Sequence, residues 1–198
     1  PASKLRTMAL NCLTDNYAYL WDNCWNNLFR NQCWSKDDLR LDNNFFKNLT
    51  SKWNRHCALR SDYARRQALL ENDVIVAQSL GLTLEDLINI YRIQFPVMQE
   101  YERDTWFDRK GRIVFTSNKG LTGIGFSRNL SSKSFSKNLD WDEIAKMPSG
   151  SVELVIVDDT IPGGPVERKI SFEAPFDRCD RVEDYKVAWE FFENKNKS

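Results

Sequence analysis

Acidic residues beside predicted turns come closest to a catalytic pattern in this chain. Asp158 and Asp159 directly follow a strand predicted at residues 152–157. Paired carboxylates can gather magnesium ions for nucleic-acid hydrolysis, and nuclease acids often stand at a strand end. The Glu-x-Lys companion of such a site is absent, because residues 160–166 read TIPGGPV. The pattern favours an Asp-capped turn, with a magnesium-dependent nuclease as the weaker alternative.

Cysteine and histidine offer two further chemistries, a zinc site and a thiol nucleophile. Cys24, Cys33, His56 and Cys57 lack the two-to-four-residue knuckle of a zinc site. The neighbours His56 and Cys57 have no third group to orient them, as a nucleophile and its base would need. An odd total of five cysteines also argues against a secreted disulfide framework. We therefore predict no metal ligand and no catalytic residue in this chain.

Basic residues in a predicted helix are the first candidates for contact with DNA. Arg60, Arg65 and Arg66 lie in one helical stretch, where neighbouring side chains point in different directions. At most a mixed stripe would face a phosphate backbone. Solvated helix charges are the alternative interpretation.

Two loop segments supply the other candidates. Lys119 opens the glycine-rich run KGLTGIG, whose backbone amides could approach a phosphate. The run lacks the Gly-Lys-Ser/Thr ending of a P-loop, and a plain loop is the alternative. The serine-rich run SRNLSSKSFSK carries Arg128, Lys133 and Lys137, which could hold a DNA backbone while a phenylalanine stacks. Disorder is the alternative for that segment.

Composition limits the choice of partners. The chain has 198 residues, with 28 Lys plus Arg and 28 Asp plus Glu, so no global field draws it to nucleic acid or to an anionic membrane. Any DNA contact must therefore come from a local patch. No apolar run approaches the roughly twenty residues that span a bilayer, and no signal peptide is visible. We expect a soluble, cytoplasmic protein with no membrane partner.

A helical hairpin at residues 70–96 is the clearest structural pattern. Gly81 can adopt the left-handed conformation that closes a helix, and Thr83 can cap the next one. Asp86 stands three residues after Thr83, in a variant of the capping box. Pro96 then ends the second helix or turns the chain.

The remaining pattern predicts an α+β fold, with a helical segment at residues 1–104 and a mixed segment at 105–198 in one compact domain. The last helix begins after Asp180 and should dock through Trp189. A small, mainly antiparallel sheet precedes it. The other predicted elements are an amphipathic helix at 13–29, a surface loop at 31–44, a short helix at 45–53, helices at 60–80, 83–94 and 97–103, and strands at 112–116, 152–157 and 168–172.

The hairpin carries a family resemblance. Its pattern is formed by Glu71, Asp73, Val76, Ala77, Leu80, Gly81, Leu82, Thr83 and Glu85. It is similar to a segment that follows the catalytic domain in large adenine-specific DNA methyltransferases of type IIG restriction-modification and BREX-like phage-defence systems. Those enzymes resemble one another in an Asn-Pro-Pro-Tyr-type tetrapeptide, which is absent here, as is a glycine-rich turn for S-adenosylmethionine. The resemblance therefore implies a C-terminal piece without a cofactor of its own, with S-adenosylmethionine bound by the parent enzyme.

Taken with the basic segments, the resemblance implies a domain that seats DNA or braces the catalytic domain. Its partners would be DNA and the catalytic methyltransferase domain or other defence-system subunits. The alternative from another class is a protein-interaction or scaffold module of a defence complex that does not touch DNA.

Overall fold

The computed structural model describes residues 1–116, 141–158 and 162–197. It is α+β, with a helical N-terminal half, small antiparallel sheets and a C-terminal helix, which confirms the predicted fold class. The chain forms two compact units. Unit 1 is Pro1–Pro96 with Asp180–Ser198, and unit 2 is Val97–Cys179.

Unit 1 is built around one long helix. The helix α3 (Asp62–Ser79) packs against α1 (Ala2–Asn11) and the C-terminal helix α7 (Arg181–Lys197). Two further helices, α2 (Ala18–Cys24) and α4 (Leu84–Gln94), complete the unit. The central helix buries a set of apolar side chains, namely Tyr63, Ala64, Ala68, Leu70, Val74 and Ala77. The helix α1 was not predicted.

The predicted hairpin between α3 and α4 is confirmed in detail. Gly81 has a φ of 74°, the left-handed conformation that glycine adopts without steric cost. The backbone N–H of Leu82 donates to the Ala77 carbonyl at 3.0 Å, the six-to-one bond of a Schellman motif. Thr83 and Asp86 form the reciprocal capping box. Pro96 follows the end of α4 and is the first residue of α5 (Pro96–Arg103), the helix predicted at 97–103.

Two helices predicted in the N-terminal half differ in the structure: the one at residues 13–29 is shorter than predicted, and the one at 45–53 is replaced by turns. Residues 13–29 contain α2 between 3₁₀ helices at Asp15–Tyr17 and Asn27–Asn31. The Asn26 side chain accepts from the Leu28 N–H, and such local capping competes with helix continuation. Residues 45–53 form turns, which begin where the Asp42 carboxylate accepts from the Asn44 N–H at 2.8 Å.

The C-terminal helix α7 docks on α3 and α4 within unit 1, through a different set of side chains from the one predicted. Tyr185, Ala188 and Phe192 are buried, whereas Trp189 is half-buried. The Trp189 carbonyl accepts a hydrogen bond from Gln78 Nε2 at 3.0 Å. Asp180 caps the helix, because its carboxylate accepts from the backbone N–H groups of the second and third residues after it.

Unit 2 holds two antiparallel sheets. Strands β2 (Ile113–Phe115), β1 (Trp106–Phe107) and β5 (Asp177–Arg178) lie side by side in that order. Strands β3 (Ser151–Asp158) and β4 (Val166–Glu173) form a hairpin whose register pairs the first residue of β3 with the last of β4. The three predicted strands correspond to β2, β3 and β4, whereas β1, β5 and the short helix α6 (Trp141–Ile144) were not predicted. The core of this unit is formed by Val114, Phe115, Ile144, Val152, Leu154, Phe172, Ala174 and Phe176.

Candidate nucleic-acid interface

All three arginines predicted to face DNA donate hydrogen bonds within the protein, and two of them are largely withdrawn from solvent. Arg66 is buried, and its NH1 group donates to the Asp184 carboxylate of α7 at 2.6 Å. Arg65 donates from NH1 to the carbonyls of Leu10 and Leu59, at 2.9 and 3.2 Å. Arg66 thus joins α3 to α7, and Arg65 joins α3 to α1.

Arg60 is the exposed member of the three. Its NH2 group donates to the Leu13 carbonyl at 2.7 Å, and its Nε to the Arg55 carbonyl at 3.2 Å. Trp53 also binds the end of α1, because its Nε1 donates to the Cys12 carbonyl at 2.8 Å. The last carbonyls of a helix and those just beyond it lack helical partners, and cations there are favourable. The end of α1 is therefore held by side chains from the segment that precedes α3.

The other predicted DNA contacts, Lys119, Arg128, Lys133 and Lys137, lie outside the described residues. Asp159 of the nuclease alternative also lies outside them. Its neighbour Asp158 forms an ion pair with Arg168 at 2.7 Å. The one described member of the predicted carboxylate pair is therefore engaged by an arginine of the adjacent strand β4.

A second basic segment, not singled out from the sequence, lies immediately before α3. Residues 43–61, which we name the cationic loop, contain no acidic residue, although Asp42 and Asp62 flank them. The loop carries four permanent cations and the only histidine of the chain. All five side chains are exposed, namely Lys47, Lys52, Arg55, His56 and Arg60. In the sequence, this basic segment is marked by the absence of Asp and Glu over nineteen residues. Helical spacing of charged residues does not reveal it.

The backbone of the cationic loop is irregular apart from a 3₁₀ helix at Arg55–Cys57, and it is fixed from outside. Trp21 of α2 donates from Nε1 to the Thr50 carbonyl at 2.9 Å, and Arg30 donates from Nε to the Leu49 carbonyl at 2.8 Å. At its far end the Leu59 N–H donates to the Ala9 carbonyl of α1 at 2.9 Å. These bonds satisfy loop carbonyls and amides that would otherwise need water.

Hydrogen bonds within the loop and buried anchors add to this order. Asn54 Nδ2 donates to Thr50 Oγ1 at 2.8 Å, and the Asn54 side chain accepts from the His56 N–H at 2.9 Å. Five apolar side chains point inward while the cations point outward. The buried side chains are Phe46, Leu49, Cys57, Ala58 and Leu59.

Carboxylates from outside the loop meet it at two places. At its start, Asp37 accepts from Asn43 Nδ2 at 3.0 Å and Asp42 from the Asn44 N–H at 2.8 Å. Asp22 of α2 accepts from Lys52 Nζ at 2.8 Å and from the Trp53 N–H at 3.0 Å. These two hydrogen bonds hold the pKa of Asp22 below its ordinary value. The Lys52 side chain remains 84% exposed. Among residues 1–116, 141–158 and 162–197, Lys47 and Arg55 form no ion pair, so their charges face solvent.

The Asp22 contact makes a testable contribution to stability. Because its pKa is lowered in the folded state, Asp22 stabilises the fold above its ordinary pKa, and this contribution is lost as pH falls through the lowered value. Asp22→Asn should therefore lower the melting temperature at neutral pH, and the difference from wild type should vanish well below pH ~4. Thermal melts across pH would check this. Asp15→Asn, an exposed change nearby, is the control, and an Asp22→Asn difference that stayed constant with pH would contradict it.

Cysteine, histidine and carboxylate side chains are dispersed in the parts of the chain that the structure describes. There, no group of three or more His, Cys, Asp or Glu side chains is placed to hold a metal ion. The five cysteines are free thiols, and burial, the largest cause, raises the pKa of Cys12. No helix within the described ranges is long and apolar enough to cross a bilayer.

Unit 1 also exposes an apolar stripe on α3. Leu69, Val76 and Leu80 are each about half exposed or more. Their spacing of seven and four residues places them on one side of the helix and its end. Exposed apolar side chains on one side of a helix are found at protein contacts.

Comparisons with known proteins add no information on the cationic loop or on the apolar stripe of α3, so both are interpreted from their charge and exposure. The chain matches no protein-family model, no curated protein and no solved structure.

Proposed function

We propose that the chain seats DNA by holding its phosphate backbone on the cationic loop. The observation that carries this proposal is the segment of nineteen residues with exposed cations and no carboxylate, residues 43–61, in a chain whose net charge is zero. Phosphate neutralisation by lysine and arginine supplies most non-specific affinity for nucleic acid. A locally positive surface can therefore bind DNA although the whole chain is neutral.

The order of the loop supports the same role. Association costs free energy when flexible side chains and loops must be fixed, and a loop already held by hydrogen bonds avoids part of this cost. Trp21 and Arg30 bind carbonyls of the loop backbone in the free protein, and the Asn54 side chain accepts from the His56 N–H. Contacts to phosphate position a duplex without reading its sequence, which suits a seating domain rather than a specificity domain.

The parent activity follows from the family resemblance of the α3–α4 hairpin. In this proposal the chain belongs to an adenine-specific DNA methyltransferase of a restriction-modification or phage-defence system and works in the cytoplasm. The catalytic domain would bind S-adenosylmethionine and carry out methyl transfer. This chain would hold the DNA beside that domain or brace it.

Duplex binding at several salt concentrations tests the proposal. We expect the full chain to bind a labelled duplex with a clear salt dependence. The logarithm of the association constant falls linearly with the logarithm of the salt concentration. In the triple variant Lys47→Gln, Lys52→Gln and Arg55→Gln, the magnitude of this negative slope should decrease by about 0.9 for each phosphate that is no longer neutralised. The decrease should be about 2.7 if all three cations bind phosphate. None of these side chains is buried, so the variant should remain folded.

A charge-matched control separates the loop from general electrostatics. Lys4, Lys186 and Lys197 are also exposed lysines of unit 1, on α1 and α7. Their replacement by Gln changes the net charge by the same amount and should leave the slope nearly unchanged. Equal slopes for wild type and the loop variant would refute the proposal.

The exposed stripe on α3 favours a second function, that of a protein-interaction or scaffold module. Leu69, Val76 and Leu80 could pack against another subunit of the same complex without any contact to DNA. Absence of DNA binding in a folded sample would favour this alternative.

A further inference from the structure

We propose that Tyr19, together with the cationic loop, forms a site for an unpaired nucleotide, whose base stacks on the tyrosine ring while the loop holds the adjoining phosphates. This inference rests on the proposed function and names the nucleic-acid state that the surface prefers. It assigns a role to a side chain that the fold itself does not use.

Tyr19 is unusual among the aromatic residues of α2. It is 82% exposed, whereas Trp21, two residues later, is fully buried and bonded to the loop at Thr50. A large ring on the surface gains no packing energy within the fold, yet it offers a flat face to a ligand. Aromatic side chains beside a basic surface are how proteins that bind single strands engage bases.

The helical geometry places Tyr19 next to the loop. Asp22 lies three residues after Tyr19 in α2, and residues three apart lie on the same side of a helix, about one turn along. Asp22 contacts the loop directly, through Lys52 Nζ at 2.8 Å and the Trp53 N–H at 3.0 Å. Tyr19 is therefore on the side of α2 on which Asp22 meets the loop at Lys52.

Charge supports a nucleotide as the occupant. Two carboxylates lie within four residues of Tyr19: Asp15, which is exposed, and Asp22, which is paired with Lys52. The charge of Asp22 is therefore compensated at the place where a phosphate would enter. Lys47 and Arg55 extend the exposed positive charge along the loop. A strand whose phosphates are negative and whose base is unstacked is complementary to the loop cations and the Tyr19 ring.

The state of the base follows from duplex geometry. In a regular duplex each base is stacked between its neighbours, so no face is open to a tyrosine. A single strand, a gap or an extruded base offers such a face. The loop alone should bind duplex and single strand, whereas Tyr19 should add affinity only where a base is unpaired.

Fluorescence anisotropy with the full chain tests this difference. The probes are a labelled mixed-sequence single strand, its duplex, and the same duplex with a three-nucleotide gap. Tyr19→Ala should weaken binding to the single strand and the gapped duplex by about 5-fold to 150-fold and leave the intact duplex unchanged. Tyr19→Phe should retain the wild-type affinity, whereas Tyr19→Leu, which is similar in bulk but has no aromatic face, should behave like Tyr19→Ala.

A spectroscopic readout reports stacking independently of affinity. A 2-aminopurine placed in the gap should be quenched on binding wild type and Tyr19→Phe, and not on binding Tyr19→Ala at saturating protein. Thermal melts should be the same for all Tyr19 variants, since the side chain is almost fully exposed.

The outcomes distinguish this inference from the proposed function. If Tyr19→Ala binds all three probes like wild type while the triple loop variant loses affinity, the tyrosine site is refuted and DNA seating by the loop stands. If the triple variant also binds like wild type, both are refuted. If Tyr19→Ala binds every nucleic-acid probe with wild-type affinity but no longer associates with a catalytic subunit, the ring is a protein contact and the nucleotide site is refuted.

Discussion

Glu71→Ala is expected to lower the free energy of unfolding by about 3–5 kcal/mol, because it leaves the buried Arg6 guanidinium without its counter-charge. Both side chains have no exposed surface, and Arg6 Nε donates to the Glu71 carboxylate. Arg6 also donates to the carbonyls of Ala2 and Cys33 and lies over two aromatic rings. An uncompensated charge at this position cannot reach water without opening the fold.

The carboxylate of Glu71 has further partners that the substitution would remove. Its Oε1 accepts from the Ser35 N–H and Ser35 Oγ, both at 2.7 Å, and from Gln67 Nε2 at 3.1 Å. The network therefore fixes the loop around Ser35 against α1 and α3. Removal of the acceptor leaves buried donors unsatisfied, which adds to the electrostatic cost.

Urea denaturation followed by far-ultraviolet circular dichroism measures the loss of stability, with a second variant that separates charge from volume. Glu71→Gln keeps the shape and removes the charge, so it should be strongly destabilised too. The double variant Arg6→Met with Glu71→Leu removes both charges and should recover the electrostatic part of the loss, since apolar residues of similar volume often replace a buried ion pair. The cost of the unpaired Ser35 and Gln67 donors should remain. If Glu71→Gln were as stable as wild type, the ion pair would not have the importance argued for it.

Trp21→Ala should cost about 3–5 kcal/mol, the usual range for removing a buried tryptophan side chain. Trp21 is fully buried, and its ring lies against Trp25 with 6.1 Å between centroids. The substitution leaves a cavity and also removes the hydrogen bond to the Thr50 carbonyl, which fixes the cationic loop. The same denaturation experiment checks the size of the effect.

A milder substitution links this stability to binding. Trp21→Phe fills most of the space but cannot donate to Thr50, so it should lose less stability than Trp21→Ala. At a temperature where it remains folded, it should still bind DNA more weakly than wild type, because the loop must then be ordered on binding. Wild-type affinity in a Trp21→Phe protein would mean that loop order does not contribute to DNA binding.

The predictions from sequence succeeded where the determinants are local. Gly81, Thr83 and Asp86 lie within six residues of one another, and each acts on the backbone of its near neighbours. Their conformations therefore follow from residue type. The helix predicted at residues 13–29 failed because its aromatic spacing persists across a break set by the side chain of Asn26, which hydropathy does not register.

Long-range contacts explain what the sequence could not show at the candidate site. Arg65 and Arg66 resemble surface helix charges, yet their partners lie 55 and 118 residues away along the chain. Arg6 and Glu71 are separated by 65 residues and meet only because α1 and α3 pack together. The cationic loop was detectable in principle, from its lack of carboxylates. Its order, however, comes from Trp21 and Arg30 on neighbouring segments.

The docking of α7 has a consequence for how the protein is made. Unit 1 combines residues 1–96 with a helix that follows unit 2 in the sequence, whereas unit 2 is continuous from Val97 to Cys179. On the ribosome, unit 2 is therefore fully synthesised before α7 emerges. The ion pair between Arg66 and Asp184 can form only after α7 has emerged. The N-terminal helices of unit 1 are thus translated before unit 2, yet they obtain the last of their native contacts after it.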